Sequence, residues 1–242
     1  MAERGKKEPD PISGVFPTTI WSQVRPLSGS ARAAAIETLA HRYQGPAEAF
    51  LGTALGLAPD AARELFQQFF VRVLETDFLE RADPGRGRFR AFLKVALRRF
   101  WTDELRRRAA EKRGGGAAEV ALDADDAPEP VDRKGRGPDE VLDDAWRAAL
   151  VDEAFQRTRR ELEASGRAAV FEVFREYYLA PGEAPDYRTL AQKHELSTTD
   201  VSNHLQRAKR AFREHLRALV LDTVSSADDL EHELAWVFAG RP

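Results

Sequence analysis

Thr199, then Ser202 and Asn203, then Gln206 and Arg207, then Arg210 recur three and four residues apart. On a helix that spacing gathers them on one side. Asn and Gln amides pair with adenine edges, and Arg pairs with guanine edges or phosphates. Between them, Val201, Leu205, Ala208 and Phe212 form an apolar stripe at helical spacing and are expected to be buried. The two sides together predict a helix that lays its polar face in a DNA major groove. Lys209, Arg213 and Arg217 continue the basic character. Plain solvation also produces a polar helix face, so residue types alone leave both readings open.

The element that must position this face is visible in the longer run LAQKHELSTTDVSNHLQRAKR, from Leu190 to Arg210. Tyr187 to His194 reads as a short helix. Ala191 falls where two crossing helices come close, and Leu196 plugs the turn between them. Ser197 or Thr198 can cap the second helix, and Ser197 with Asp200 has capping-box spacing. The glycine common in such turns is absent, and Glu195 stands near its place.

A second candidate for polyanion chemistry lies upstream. From Arg86 to Arg113 there are eleven basic residues against three acidic ones. Arg90, Lys94 and Arg98 are spaced by four and share a helix face. Phe92, Leu93, Ala96, Leu97, Phe100 and Trp101 form the apolar stripe of the same helix, which starts near Phe89. Basic side chains offset phosphate charge, and exposed aromatics stack on unpaired bases. ADPGRGR, from Ala82 to Arg88, reads as a loop leading into this helix, and the glycines at 114–116 end the domain. From Glu119 to Asp144 ten acids face three basic residues, in a stretch with Gly, Pro and few large apolar side chains. That composition predicts a flexible acidic linker.

The clearest remaining helix runs from Asp60 to Glu75, just after Pro59, with Leu65, Phe66, Phe69, Phe70, Val73 and Leu74 at helical spacing. Leu142, Trp146 and Leu150 mark another, and Val170, Phe171, Phe174 and Tyr178 the next. APGEAP, 180–185, is a turn. Leu230, Leu234, Val237 and Phe238 favour packing of a last segment. Strand-type alternation is almost absent. The predicted fold class is all-α, with two helical domains joined by the flexible acidic linker.

Composition narrows the function classes. The 242 residues are 32% charged and 43% hydrophobic, as in a soluble globular protein. The absence of cysteine excludes disulfides and cysteine-held zinc, and fits a reducing, cytoplasmic setting. The opening MAERGKKEPDP has no apolar run, so no signal peptide or membrane anchor is expected. His and carboxylate residues show no metal-ligand spacing. Neither a metal nor a cofactor is expected.

Two segments resemble a known family. QQFFVRVLE with RADPGRGRFRAFLKVALRRFWTDELRRR is similar to region two of bacterial extracytoplasmic-function-type sigma factors. YRTLAQKHELSTTDVSNHLQRAKRAFREHLRALV is similar to region four. FPTTIWSQV and DDLEHELAWVF resemble the branch common in planctomycetes and myxobacteria. The resemblance implies a disordered tail at 1–16, region two at 17–112, the linker at 113–139, region four at 140–222 and a helical extension at 223–242. It implies binding to core RNA polymerase and promoter DNA, with no catalytic residue of its own. Region two would dock on the clamp of the largest catalytic subunit through Asp60, Arg63, Glu64, Gln67, Gln68 and Arg72. It would open the −10 element with Arg86, Arg88, Arg90, Lys94 and Arg98 along the strand. Region four would meet the flap of the second subunit and place Thr198, Thr199, Ser202, Asn203, Gln206, Arg207 and Arg210 at the −35 element. The linker would thread toward the polymerase cleft.

One departure from the family pattern stands out. The acidic run expected before the QQFF segment is here reduced to Asp60 and Glu64, opposed by Arg63. Weak clamp docking, relieved by phosphorylation of Thr53, would follow, with a Ser/Thr protein kinase or an anti-sigma factor as a further partner. Two other classes fit parts of the sequence. One is a helix-turn-helix transcriptional regulator that is not a polymerase subunit. The other is an adaptor whose basic faces bind acidic proteins.

Overall fold

In a computed structural model of the chain, the residues described are 29–75, 89–112, 135–224 and 226–239. They form helices α1 (Gly29–Leu55), α2 (Pro59–Glu75), α3 (Phe89–Lys112), α4 (Pro138–Ala164), α5 (Ala168–Tyr178), α6 (Tyr187–His194), α7 (Thr198–Leu221) and α8 (Ala227–Ala239). No strand occurs among the described residues, which agrees with the all-α expectation. The tail at 1–16, the loop from Ala82 to Arg88 and most of the acidic linker lie outside them.

Local chemistry sets the helix ends. Pro59 and Pro138 open α2 and α4, where a missing N–H costs nothing. Acids follow in each first turn, Asp60 in α2 and Asp139 with Glu140 in α4, and oppose the positive end of the helix dipole. Three helices end in one common turn. After α1, Gly56 takes φ 63° and the Leu57 N–H donates to the Gly52 carbonyl at 2.9 Å. After α4, Gly166 takes φ 71° and the Arg167 N–H donates to the Leu162 carbonyl at 2.7 Å. After α6 the turn recurs, but with Glu195 at φ 56°.

The chain divides into two compact units. One comprises the described residues up to Trp146 together with those from Leu221 on, and the other runs from Arg147 to Val220. In the first unit α1 packs on α2 and α3. Tyr43, Ala47, Phe50, Leu51 and Ala54 form the buried side of α1. Leu65, Phe66, Phe69 and Val73 face inward from α2, and Leu93, Ala96 and Leu97 from α3. The predicted period buries these members of the α2 and α3 stripes, whereas Phe70, Phe100 and Trp101 of the same stripes are half-buried. Helix α8 belongs to this unit through Leu230 and Val237, whereas Phe238 is 40% exposed.

The second unit has an aromatic centre. Phe155, Phe174 and Phe212 lie 4.9–5.9 Å apart, centroid to centroid, joining α4, α5 and α7. Such tilted pairs add to burial by about 0.5–1.5 kcal/mol each. His215 on α7 and Glu161 on α4 also pair at 2.7 Å.

Candidate nucleic-acid interface

Helices α6 and α7 form a helix-turn-helix. Asp186 caps α6, accepting from the Thr189 N–H at 2.7 Å. That bond holds the Asp186 carboxyl below the usual range. At the turn the Leu196 N–H donates to the Ala191 carbonyl at 2.9 Å, and Ala191 is buried. The capping box forms as its spacing predicts. Ser197 Oγ accepts from the Asp200 N–H at 3.0 Å, and Asp200 accepts from the Ser197 N–H at 3.2 Å. The Ser197 hydroxyl also donates to Asp200 at 2.6 Å, which lowers the Asp200 carboxyl. On α5, Glu176 accepts from Lys193 at 3.0 Å and pairs with His194 at 3.2 Å. Burial opposes ionisation of Glu176, but these two bonds outweigh it and lower its carboxyl.

This scaffold presents α7 in the orientation its pattern predicts. Val201, Leu205, Ala208 and Phe212 are buried. Thr198, Thr199, Asn203, Gln206, Arg207 and Arg210 are exposed, and Ser202 is half-buried. Arg207 and Arg210 make no ion pair with any described residue. Amide, hydroxyl and guanidinium donors thus stand on one rigid helix with their hydrogen-bonding capacity unspent. Groups held this way suit base edges and phosphates.

The basic row of α3 is in the opposite condition. Arg90 is buried, and its guanidinium bonds to Asp143 of α4 and to Glu233 of α8, the latter at 3.1 Å. The Trp236 ring covers it, 3.8 Å from guanidinium carbon to ring centroid. Lys94 pairs with Asp143 at 2.6 Å, and Arg98 with Asp139 at 3.1 Å. Further along α3, Arg107 and Arg108 bond Glu104, and the Arg107 bond does most to lower the Glu104 carboxyl. Arg99 and Arg106 are exposed and make no ion pair among the described residues. Arg86 and Arg88 lie outside the described residues.

On α2, Asp60, Glu64, Gln67, Gln68 and the apolar Val71 are exposed along one side. Arg63 lies 3.8 Å from both Asp60 and Glu48, so part of the small negative charge here is internally neutralised. Arg72 pairs with Asp103 of α3 at 3.1 Å. Thr53 is half-buried in the last turn of α1.

Sequence reasoning missed Asp139, Asp143, Glu233 and Trp236 as partners of the basic row. A signal was present for the first two. Asp139 and Asp143 are four apart, as are Lys94 and Arg98, and the pairs match in reverse order. Nothing local announces Glu233, whose partner is 143 residues away.

Among the described residues no helix is long and apolar enough to cross a membrane, and no group of His, Asp and Glu is placed to hold a metal ion. In comparisons with known proteins, the family model described as ECF sigma factor matches residues 59–165. That span covers α2, α3 and α4. No curated protein and no solved structure matches the chain.

Proposed function

We propose that this chain, an ECF-type sigma factor by its residues 59–165, reads promoters with two helical faces held in different states. The family role is to join core RNA polymerase and direct it to promoter DNA, so the chemistry of RNA synthesis stays with the polymerase. In our reading α7 enters the major groove of the −35 element, with Asn203, Gln206 and Arg210 at base edges or phosphates. The observation that carries this is the exposed, unpaired polar face of α7 on a capped helix-turn-helix. Helix α3 takes the non-template strand of the −10 element along Arg90, Lys94 and Arg98, with Arg86 and Arg88 in the preceding loop.

Core polymerase docks on the α2 side carrying Asp60, Arg63, Glu64, Gln67, Gln68 and Arg72. Residues 113–139 serve as the strap between the two reading parts, and the protein works in the cytoplasm beside the polymerase. The sparse negative charge of α2 supports a control step. Phosphate on Thr53, added by a Ser/Thr kinase, would strengthen docking on a basic clamp surface. The test is run-off transcription from genomic fragments with purified core enzyme. Start sites that require both the chain and an intact α7 face are the expected result. Duplex binding that persists while the chain fails to join core polymerase would instead mark a free-standing regulator.

A further inference from the structure

The row Arg90, Lys94 and Arg98 is already occupied by carboxylates. Asp143 bonds both Arg90 and Lys94, Asp139 bonds Arg98, and Glu233 reaches Arg90 from α8. Each oxygen stands where a phosphate oxygen would be taken. Arg90 is the decisive case. It is 9% exposed and lies under the Trp236 ring, so no phosphate reaches it while α8 stays in place. Glu233 is itself only 2% exposed. Moving Arg90 onto a phosphate would leave a buried carboxylate without this cation, which is strongly unfavourable. Strand capture at Arg90 and the seated α8 are therefore mutually exclusive.

The helix is built to leave as a unit. Its 13 residues follow their own cap, where Ser226 Oγ accepts from the Asp229 N–H at 3.1 Å. Leu230 and Val237 are its buried apolar anchors, and Phe238 remains exposed. A 13-residue helix with only two such anchors belongs to the low-stability end of a fold. An apolar residue at Glu233 would hold α8 at least as well as a buried ion pair does. A carboxylate there makes the hold depend on the cation that nucleic acid needs.

We propose that α8, together with the start of α4, is an intramolecular competitor for the polyanion taken by α3, and that a DNA strand must displace α8 to reach Arg90. This rests on the reading of α3 as a strand-binding face. The experiment uses the full chain and a fluorescein-labelled single-stranded oligonucleotide titrated at several salt concentrations. Glu233→Gln with Trp236→Ala should tighten binding by about tenfold at every salt concentration with the slope unchanged, because both complexes carry the same phosphate contacts and only the cost of displacing α8 differs. In the unaltered protein, hydrogen exchange of residues 227–239 should speed up when the oligonucleotide saturates.

That exchange measurement decides the matter even if the double variant folds poorly. Binding that depends on Lys94, with α8 amides equally protected in the complex, overturns the competitor and leaves the strand-binding face standing. Binding indifferent to both Arg90→Ala and Lys94→Ala removes the face itself, and the competitor with it.

Discussion

The rings of Tyr43 on α1 and Trp146 on α4 stack face to face, with centroids 4.1 Å apart and planes 10° from parallel. Both are buried, and burial keeps the Tyr43 phenol neutral far above its usual range. The stack fixes the start of α4 against the first unit. That start carries Asp139 and Asp143, the partners of Arg98, Lys94 and Arg90. An apolar contact thus positions the charges that neutralise the basic row.

Trp146→Ala should cost about 3–5 kcal/mol of unfolding free energy, as large aromatic truncations in a closed core do. Trp146→Phe should cost far less. It keeps a stacking ring and removes an Nε1–H that has no hydrogen-bond partner among the described residues. Urea denaturation of the two variants checks the order. Equal losses would mean that a phenyl ring recovers nothing, so that the indole itself carries the contact.

Glu195→Gly should stabilise the protein by about 0.5–1 kcal/mol. The left-handed backbone costs an ordinary residue about 1–2 kcal/mol, and the greater freedom of glycine in the unfolded chain returns part of the gain. Gly56 and Gly166 already occupy the same position in the equivalent turns after α1 and α4. Thermal unfolding reports the change. A lower melting temperature would show that the Glu195 side chain makes a compensating contact.

Legibility from sequence followed the range of the interactions. The Ser197–Asp200 cap and the Val201, Leu205, Ala208 and Phe212 stripe are decided within a few turns, so their spacing specifies them. The stripes of α2 and α3 were legible for the same reason. Spacing by four places Arg90 in a polar row with Lys94 and Arg98, but Arg90 also precedes Leu93, Leu97 and Trp101 of the apolar stripe by three, seven and eleven residues. Its burial depends on Asp143 and Glu233, which are 53 and 143 residues away in the chain. Helix α8 shows the same limit. Its apolar residues predict its packing surface, yet Phe238 is exposed and Glu233 is buried. Period identifies a face, but only tertiary partners decide whether a charge on it can be covered.

On duplex DNA carrying a cognate upstream element, Asn203→Ala, Gln206→Ala and Arg210→Ala should each weaken binding by about 1–3 kcal/mol. A substituted base contact also relaxes sequence preference at one position. A substituted phosphate contact weakens all sequences alike and flattens the salt slope by about 0.9. Binding to a randomised element separates these outcomes. If all three variants bind as the parent does, α7 is not the reading helix.

Acid should loosen the helix-turn-helix before it disturbs uncharged packing. Asp186 and Asp200 have lowered carboxyls, through the Thr189 N–H and the Ser197 hydroxyl respectively. A lowered folded value means that the stabilisation is complete above the unfolded aspartate value of about 3.9. It is lost as pH falls through the lower folded values. Melting temperature should therefore hold from neutrality to about pH 4 and decline below. Asp186→Asn with Asp200→Asn should flatten that decline, and an unchanged acid limb would show that other carboxylates govern it.

Charge at Thr53 should act in opposite directions on stability and docking. Thr53 lies in the last turn of α1, at the negative end of the helix dipole. A negative group there is disfavoured by about 0.3–1 kcal/mol. Thr53→Glu should thus lower unfolding free energy by about that amount, while Thr53→Gln reports the cost of size alone. On the polymerase side the added charge supplements Asp60 and Glu64, which Arg63 partly neutralises. Core affinity should rise for Glu and stay level for Gln, most clearly at low salt, where exposed charges are least screened. Fluorescence titration of core enzyme against the three proteins measures it. A docking gain shared by Glu and Gln would remove charge as the cause, and no gain in either would leave Thr53 outside polymerase control.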